Sequence, residues 1–176
     1  MEQTLAQSDI TIRPGSQADL TRMEGMETWR DIDVYRDWLA RGRHLLIAEE
    51  RGEIVSYSWQ DFGEQFVIEQ VPELRYRLSE DACYGDESYT PVAHRGRGLR
   101  RLLFVAERQL ARARGRRFVV AYFMSKRAAE DALRNFERLG VPRGVALHEV
   151  VLWNFGGLRI ASARALAEDR TIRCLD

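Results

Sequence analysis

Two cysteines in 176 residues, Cys83 and Cys174, are too few and too far apart for a disulfide framework. With no C-x-x-C pair and no histidine at ligand spacing, no metal site is expected either. No run approaches the ~18 apolar residues of a membrane span. The opening MEQTLAQSDITIRPG lacks the basic start and apolar core of a signal peptide, so a soluble, cytoplasmic protein is expected. Lysine is almost missing, Lys126 standing alone among 27 basic residues that are otherwise arginine. Net charge is missing too: 27 acidic residues balance the 27 basic ones, so no global field draws the chain to nucleic acid or an anionic membrane. There is no internal repeat, low-complexity tract or Pro/Gly/Ser linker, and a single domain over residues 1–176 is the economical reading.

What is present is a 45% hydrophobic content arranged in short periodic segments, enough for a real core. DITIRP (9–14) reads as a first strand, and Ser16 with Asp19 three residues on gives a capping-box-like helix start. Val34, Tyr35, Trp38 and Leu39 share a face of a second helix that Gly42 ends. HLLIAEERGEIVSYSWQ (44–60) predicts two strands turning at Arg51-Gly52, with Val55, Tyr57 and Trp59 alternating against Ser56, Ser58 and Gln60 as a half-buried strand should. Residues 61–80 read as an insertion or lid broken at Pro72, and 81–90 as a strand. Leu99, Leu102, Leu103, Ala106, Leu110 and Ala113 recur at helical spacing. RFVVAYF (117–123) and ALHEVVLWN (146–154) predict strands, and residues 129–139 a helix ended by Gly140. The tail from Gly156 to Asp176 is compatible with strand or helix.

One stretch concentrates the chain's positive charge. VAHRGRGLRRLL, residues 92–103, sets Arg95, Arg97, Arg100 and Arg101 around Gly96 and Gly98, between the strand and the helix. Strand, glycine-rich loop, helix is the order in which backbone N–H groups at a helix start converge on a phosphate. Short Gly/Arg loops also occur as plain turns, and arginines along a helix are commonly a solvated face.

YTPVAHRGRGLRRLL, followed about thirty residues later by ALRNFERLGV, resembles the GNAT superfamily of N-acetyltransferases. Nearly the whole chain fits that pattern. The loop pattern Q/R-x-x-G-x-G/A is met by Gly96 and Gly98, while its first position is Ala93 here. The resemblance implies an α/β (α+β) fold with a central, mostly antiparallel mixed sheet of six to seven strands, about four flanking helices and a splay between the fourth and fifth strands. It implies acetyl-CoA, or another acyl-CoA, as cofactor. The loop amides from His94 through Arg100 (His94, Arg95, Gly96, Arg97, Gly98, Leu99, Arg100) would hold its pyrophosphate, and Tyr89 and Thr90 would pair with the pantetheine arm.

Acyl transfer to an amine needs a base for the ammonium proton and a route for the thiolate to leave. Asp86 and Glu87 lie on the strand before the loop, and alternation lets only one point inward. Exposed edge charges are an equal reading of both. Glu64, Glu69 and Glu80 are weaker candidates. Phe136 stands where many family members have an acid-donating tyrosine, and Ala129 where an asparagine is common; Tyr122, ahead of Tyr84 and Tyr89, is the substitute acid. The leading function is an acyl-CoA-dependent N-acyltransferase, most simply an acetyltransferase acting on a small-molecule or peptide amine in a ternary complex. A homodimer is allowed, and neither nucleic acid nor membrane is a partner. A coenzyme A-binding protein that has lost catalysis is the alternative, and a nucleic-acid module on Arg95–Arg117 ranks last.

Overall fold

The computed structural model describes residues 9–28, 30–67, 75–123, 130, 131, 134, 148–155, 158–165 and 172–175. They fall into two compact units, Met1–Asp61 with Gly85–Arg114, and Phe62–Tyr84 with Gly115–Asp176.

In the first unit β1 (Ile10–Pro14), β2 (His44–Glu50) and β3 (Glu53–Asp61) are successive antiparallel neighbours. Arg51 and Gly52, at φ 50° and 83°, make the two-residue turn between β2 and β3, the left-handed pair a tight hairpin requires. Helices α1 (Gln17–Met23) and α2 (Ile32–Ala40) cover one face. There Leu20, Met23, Tyr35 and Trp38 pack with Leu45, Ile47, Tyr57 and Trp59. Helix α3 (Leu99–Ala113) covers the other, Leu99 and Leu103 meeting Leu46, Ala48 and Val55.

Two expectations about β3 need correction. Val55 does not share a face with Tyr57 and Trp59, because the β2–β3 register shifts between Ala48 and Glu49, and this bulge turns Val55 toward α3 and Ile54 toward α1 and α2. Nor is the strand half-buried: Ser56, Ser58 and Gln60 are 0–1% exposed, since α3 lies over their face as well. The stripe of α3 is also turned from the expected one. Leu99, Leu103, Phe104, Glu107 and Ala111 are buried, whereas Leu102, Ala106 and Leu110 are half-buried and Ala113 is exposed.

β6 (Ala82–Tyr89) runs through both units. In the hydrogen-bonded order β1-β2-β3-β6-β7 it lies between β3 and β7 (Phe118–Ala121), and it runs parallel to β7, which makes the sheet mixed. In the second unit the lid segment contains β4 (Gln65–Val67) and β5 (Arg75–Leu78), antiparallel to each other, with Phe66 stacked on Tyr76 and Tyr84 at 5.1 and 4.1 Å. The tail supplies strands: β8 (His148–Phe155) pairs with β9 (Leu158–Ala165), and β10 (Ile172–Leu175) with β5. Most of the helix expected over 129–139 lies outside the described residues, so three helices are described in full. Among the described residues no helix is long and apolar enough to cross a membrane.

The capping box at α1 is present and enlarged. The Ser16 amide and hydroxyl each donate to Asp19 Oδ2 at 2.9 Å, and Arg13 donates to both Asp19 oxygens at 2.9 and 2.6 Å. Arg22 donates to Asp19 at 2.9 Å, and Glu49 accepts from Arg13 at 3.0 Å. Arg13 above all holds the Asp19 carboxyl well below the usual carboxylate range, and Glu49 is lowered for the same reason. A carboxylate depressed in the folded chain contributes stability that is complete above its unfolded pKa, about 4, and lost as pH falls through the folded value. The melting temperature should therefore fall steeply below about pH 4, and Asp19→Asn should flatten that acid limb. An unchanged slope in the variant would assign the acid sensitivity to other groups.

Candidate active site

The glycine loop belongs to the first unit. Beyond β6 the chain passes Thr90 and Pro91 into a single 3₁₀ turn, Val92–His94. The N–H groups of His94 and Arg95 donate to Pro91 and Val92 carbonyls at 2.9 and 3.2 Å, so the turn itself uses these two nitrogens. Gly96 and Gly98 then take φ 77° and 75°. A Cβ built on either meets no atom within 4 Å, so the requirement for glycine here is conformational rather than steric. Gly98 is the N-cap of α3, and its carbonyl accepts from Arg101 and Leu102 at 3.0 and 3.2 Å. The amides of Gly96, Arg97, Gly98, Leu99 and Arg100 have no acceptor among the described residues. They form a run of unmet donors where the helix dipole is positive. Leu99 contributes only its amide, its side chain being 2% exposed in the core.

The loop side chains have partners within the chain. Arg97 is paired with Glu50 at 2.5 Å, Arg100 donates to both Glu107 oxygens at 2.8 and 3.3 Å, and His94 Nε2 lies 3.4 Å from Glu53. Arg95 Nε donates to the Thr90 carbonyl at 3.0 Å, and its guanidinium lies 5.8 Å from the Tyr89 ring centre. Arg97 holds Glu50 below its ordinary range. Much of the local positive charge is thus compensated by β2, β3 and α3, while the main-chain donors of the loop are not. Glu50 carries no signal in the sequence that marks it as a partner of the loop. Glu107 does, lying seven residues beyond Arg100 on the same helix, two turns along one face.

β6 carries the two strand carboxylates on different surroundings. Glu87 Oε1 accepts from the Tyr35 hydroxyl and from the Tyr57 hydroxyl at 3.3 Å, and Oε2 accepts from Arg30 Nε at 2.8 Å. Tyr35 and Tyr57, both 0% exposed, have hydroxyl oxygens 2.9 Å apart, so with Tyr35 donating to Glu87 the single Tyr57 proton is divided between Glu87 and the Tyr35 oxygen. Burial first, and the bond to Glu87 second, push the Tyr35 phenol far above its ordinary pKa. Asp86 accepts from Arg43 at 2.5 Å, and Arg43 also pairs with Asp61 at 3.2 Å. Both arginines lie on Trp38, their guanidinium carbons 5.1 Å (Arg30) and 4.2 Å (Arg43) from a ring centre. Trp38 and Tyr35 in turn pack on Trp59, each 5.4 Å away, so Trp59 is core at 1% exposure.

Just beyond Tyr89 the Ser56 hydroxyl donates to the Tyr89 carbonyl at 2.8 Å and shares a 2.7 Å bond with the Thr90 hydroxyl. The Thr90 carbonyl accepts from Arg95, as the Tyr89 carbonyl does from Ser56. A cavity of about 420 Å³ opens beside this turn, lined among others by Met26, Glu27, Glu53, Pro91 and His94. Asp86, Glu87, Tyr89, Thr90 and the whole loop therefore lie in the first unit, while Tyr122 is half-buried just past β7 in the second. Tyr84 is buried, and so is Cys83, with Sγ 3.6 Å from the Phe118 carbonyl. Ala129 and Phe136 lie outside the described residues.

No family model matches the sequence, and no curated protein matches it. Solved structures do. yncA of Salmonella typhimurium, with its cofactor acetyl-CoA, is 21% identical with a TM-score of 0.57, over 93% of this chain and 98% of that one. The aminoglycoside N-acetyltransferase AAC(6')-Iy in complex with CoA is 15% identical with a TM-score of 0.57, over 85% and 96% of the two chains. A transcriptional regulator from Bacillus halodurans C-125 is 23% identical with a TM-score of 0.57, over 83% and 99%. Likeness at 15–23% identity establishes architecture, and the architecture of this chain is the GNAT acetyltransferase fold.

Proposed function

We propose that the protein is an acyl-CoA-dependent N-acyltransferase, most simply one moving acetyl from acetyl-CoA to a primary amine. The observation that carries the reading is the run of five unmet amides at residues 96–100, opening a helix, in a fold whose similar structures include one with acetyl-CoA and one with CoA. Five N–H groups and a helix dipole suit a diphosphate, and glycines at 96 and 98 let its oxygens reach the main chain. The end of β6 at Tyr89 and Thr90, next to the loop, is the main chain that would pair with a pantetheine arm. Acetyl-CoA supplies the activated acyl group. A neutral amine forms the new C–N bond as the C–S bond breaks, its proton passing to a carboxylate and a proton returning to the thiolate. Glu87 is assigned the base, since two phenols orient it, whereas Asp86 is committed to an arginine that also serves Asp61. The reading carries with it a cytosolic protein of one functional domain acting on a small-molecule or peptide amine, as AAC(6')-Iy acts on aminoglycosides.

A second reading is binding of coenzyme A without catalysis. It is favoured by the arginines already paired with both Asp86 and Glu87. Two measurements separate these. Coenzyme A at a hundredfold its Kd should add about 2.7 kcal/mol of stability under either reading. Release of free thiol from acetyl-CoA on offering sisomicin, spermidine or an N-terminal peptide amine is expected only under the first, with Glu87→Gln lowering kcat about 100-fold or more. Absence of any coenzyme A response removes both.

A further inference from the structure

The small sheet of the second unit has two unlike faces. Burial alternates along β4 and β5, so Phe66, Tyr76 and Leu78 are buried while Gln65, Val67, Arg75 and Arg77 are exposed. On one side of β5 the register sets Gln65 opposite Arg77 and Val67 opposite Arg75. On the other side β10 sets Arg173 opposite Arg77 and Leu175 opposite Arg75. Residues directly opposite share a face, so these positions make up one outer surface that holds three arginines and no acidic residue.

Such a surface costs the isolated chain stability. Like charges directly opposite destabilise a strand pair, and by register Arg77 and Arg173 are such a pair. Charged residues commonly guard the open edges of sheets, but β5 is the middle strand of the order β10-β5-β4. Edge protection therefore does not account for Arg75 and Arg77. Neither has a carboxylate partner among the described residues, whereas Arg13, Arg22, Arg36, Arg43 and Arg97 of the first unit each pair with one.

The rest of the face narrows the occupant. Two copies meeting through it would set cation against cation, which rules out self-association there. Single-stranded nucleic acid stacks its bases on aromatic side chains, and here the remaining positions are Gln65, Val67 and Leu175. An extended peptide repeats its side chains on one side every two residues, about 6.8 Å, which is the interval from Arg75 to Arg77 along β5. Guanidinium forks bind carboxylates two bonds at a time, and Val67 and Leu175 are apolar neighbours for the methylene stems of glutamate.

We propose that the outer face of the β4–β5–β10 sheet docks an extended acidic segment of a partner protein, with Asp or Glu at alternate positions answering Arg75, Arg77 and Arg173. The proposal stands apart from the acyltransferase reading and needs no coenzyme A.

The probe is a peptide of four Glu-Thr repeats, acetylated at its N-terminus so that it offers no amine, and carrying fluorescein at the other end. Its anisotropy is followed against the full chain at about 50 and 150 mM salt. Arg75→Glu combined with Arg77→Glu should weaken binding about tenfold or more. Arg108→Glu combined with Arg112→Glu, an equal change of charge on α3, should alter it by less than about twofold. A wild-type chain that does not bind, or an equal loss in the α3 variant, overturns the proposal. An oligothymidylate that displaces the peptide and depends on the same two arginines also overturns it and gives the face to nucleic acid. Should the double reversal fail to fold, Arg75→Ala combined with Arg77→Ala decides by the same outcomes. Arg77→Glu alone should raise the melting temperature by about 1–4 °C, because it sets an opposite charge against Arg173. A fall instead would show that Arg77 is already satisfied within the chain, and the proposal would go with it.

Discussion

Gly98→Val is expected to remove the rise in melting temperature that saturating coenzyme A produces in the wild-type chain, a rise of about 5–10 °C for a protein of this size. The glycine sits at φ 75°, a conformation that costs an L-residue about 1–2 kcal/mol and a β-branched one more. Nothing crowds the position, so valine does not clash; it shifts the backbone away from the left-handed region. That shift would reorient the Gly98, Leu99 and Arg100 amides at the helix start, and the added Cβ would lie against an anion bound there. Gly96→Val, at φ 77°, should act in the same direction. The apo protein should lose only a few degrees, because the loop is exposed and packs no core. A coenzyme A shift that survives both substitutions would place the diphosphate elsewhere.

Arg100→Ala is expected to destabilise the protein by about 2–3 kcal/mol while leaving the coenzyme A shift in place. Glu107 is 2% exposed, and its carboxylate faces Arg100 two turns earlier on α3. Removing the arginine leaves a buried charge with its counter-ion gone. The full penalty for breaking a buried pair, about 3–5 kcal/mol, is reduced here because the Arg100 side chain is 47% exposed and water reaches it. Changing both members, Arg100→Leu with Glu107→Leu, should recover most of the loss, since an apolar pair of similar volume needs no solvation. Urea denaturation of the wild type and both variants checks this. A large fall in coenzyme A affinity in R100A at unchanged stability would return Arg100 to the cofactor.

The elements with strong periodicity were legible in the sequence. The Arg51-Gly52 hairpin, the Ser16–Asp19 cap, the second helix ended at Gly42 and the strand–loop–helix order at residues 82–113 all form from local rules that tertiary contacts reinforce. Less legible was anything that depends on which element lies over which. Ser56, Ser58 and Gln60 read as a solvent face because serine and glutamine usually are one, and only the packing of α3 on β3 buries them. One bulge reversed Val55, and a bulge leaves no mark in apolar periodicity. The ion-pair partners of the loop were not legible, since Glu50 and Glu53 are more than forty residues distant from Arg97 and His94. Likewise Glu87 was legible as a strand carboxylate, but its enclosure by Tyr35, Tyr57 and Arg30 arises from three separate segments.

Gln60, fully buried on β3, donates through Nε2 to the Glu107 main-chain carbonyl at 3.2 Å. Apolar contact alone would let a helix ride along a sheet with little penalty, one leucine replacing another. A side-chain amide reaching a helical carbonyl from beneath adds a directional bond to that contact, and sliding α3 by a fraction of a turn would break it in the interior. The bond therefore acts as a vernier stop: it fixes how far the opening end of that helix projects past the rim of the strands, and so the height at which an anion would be met.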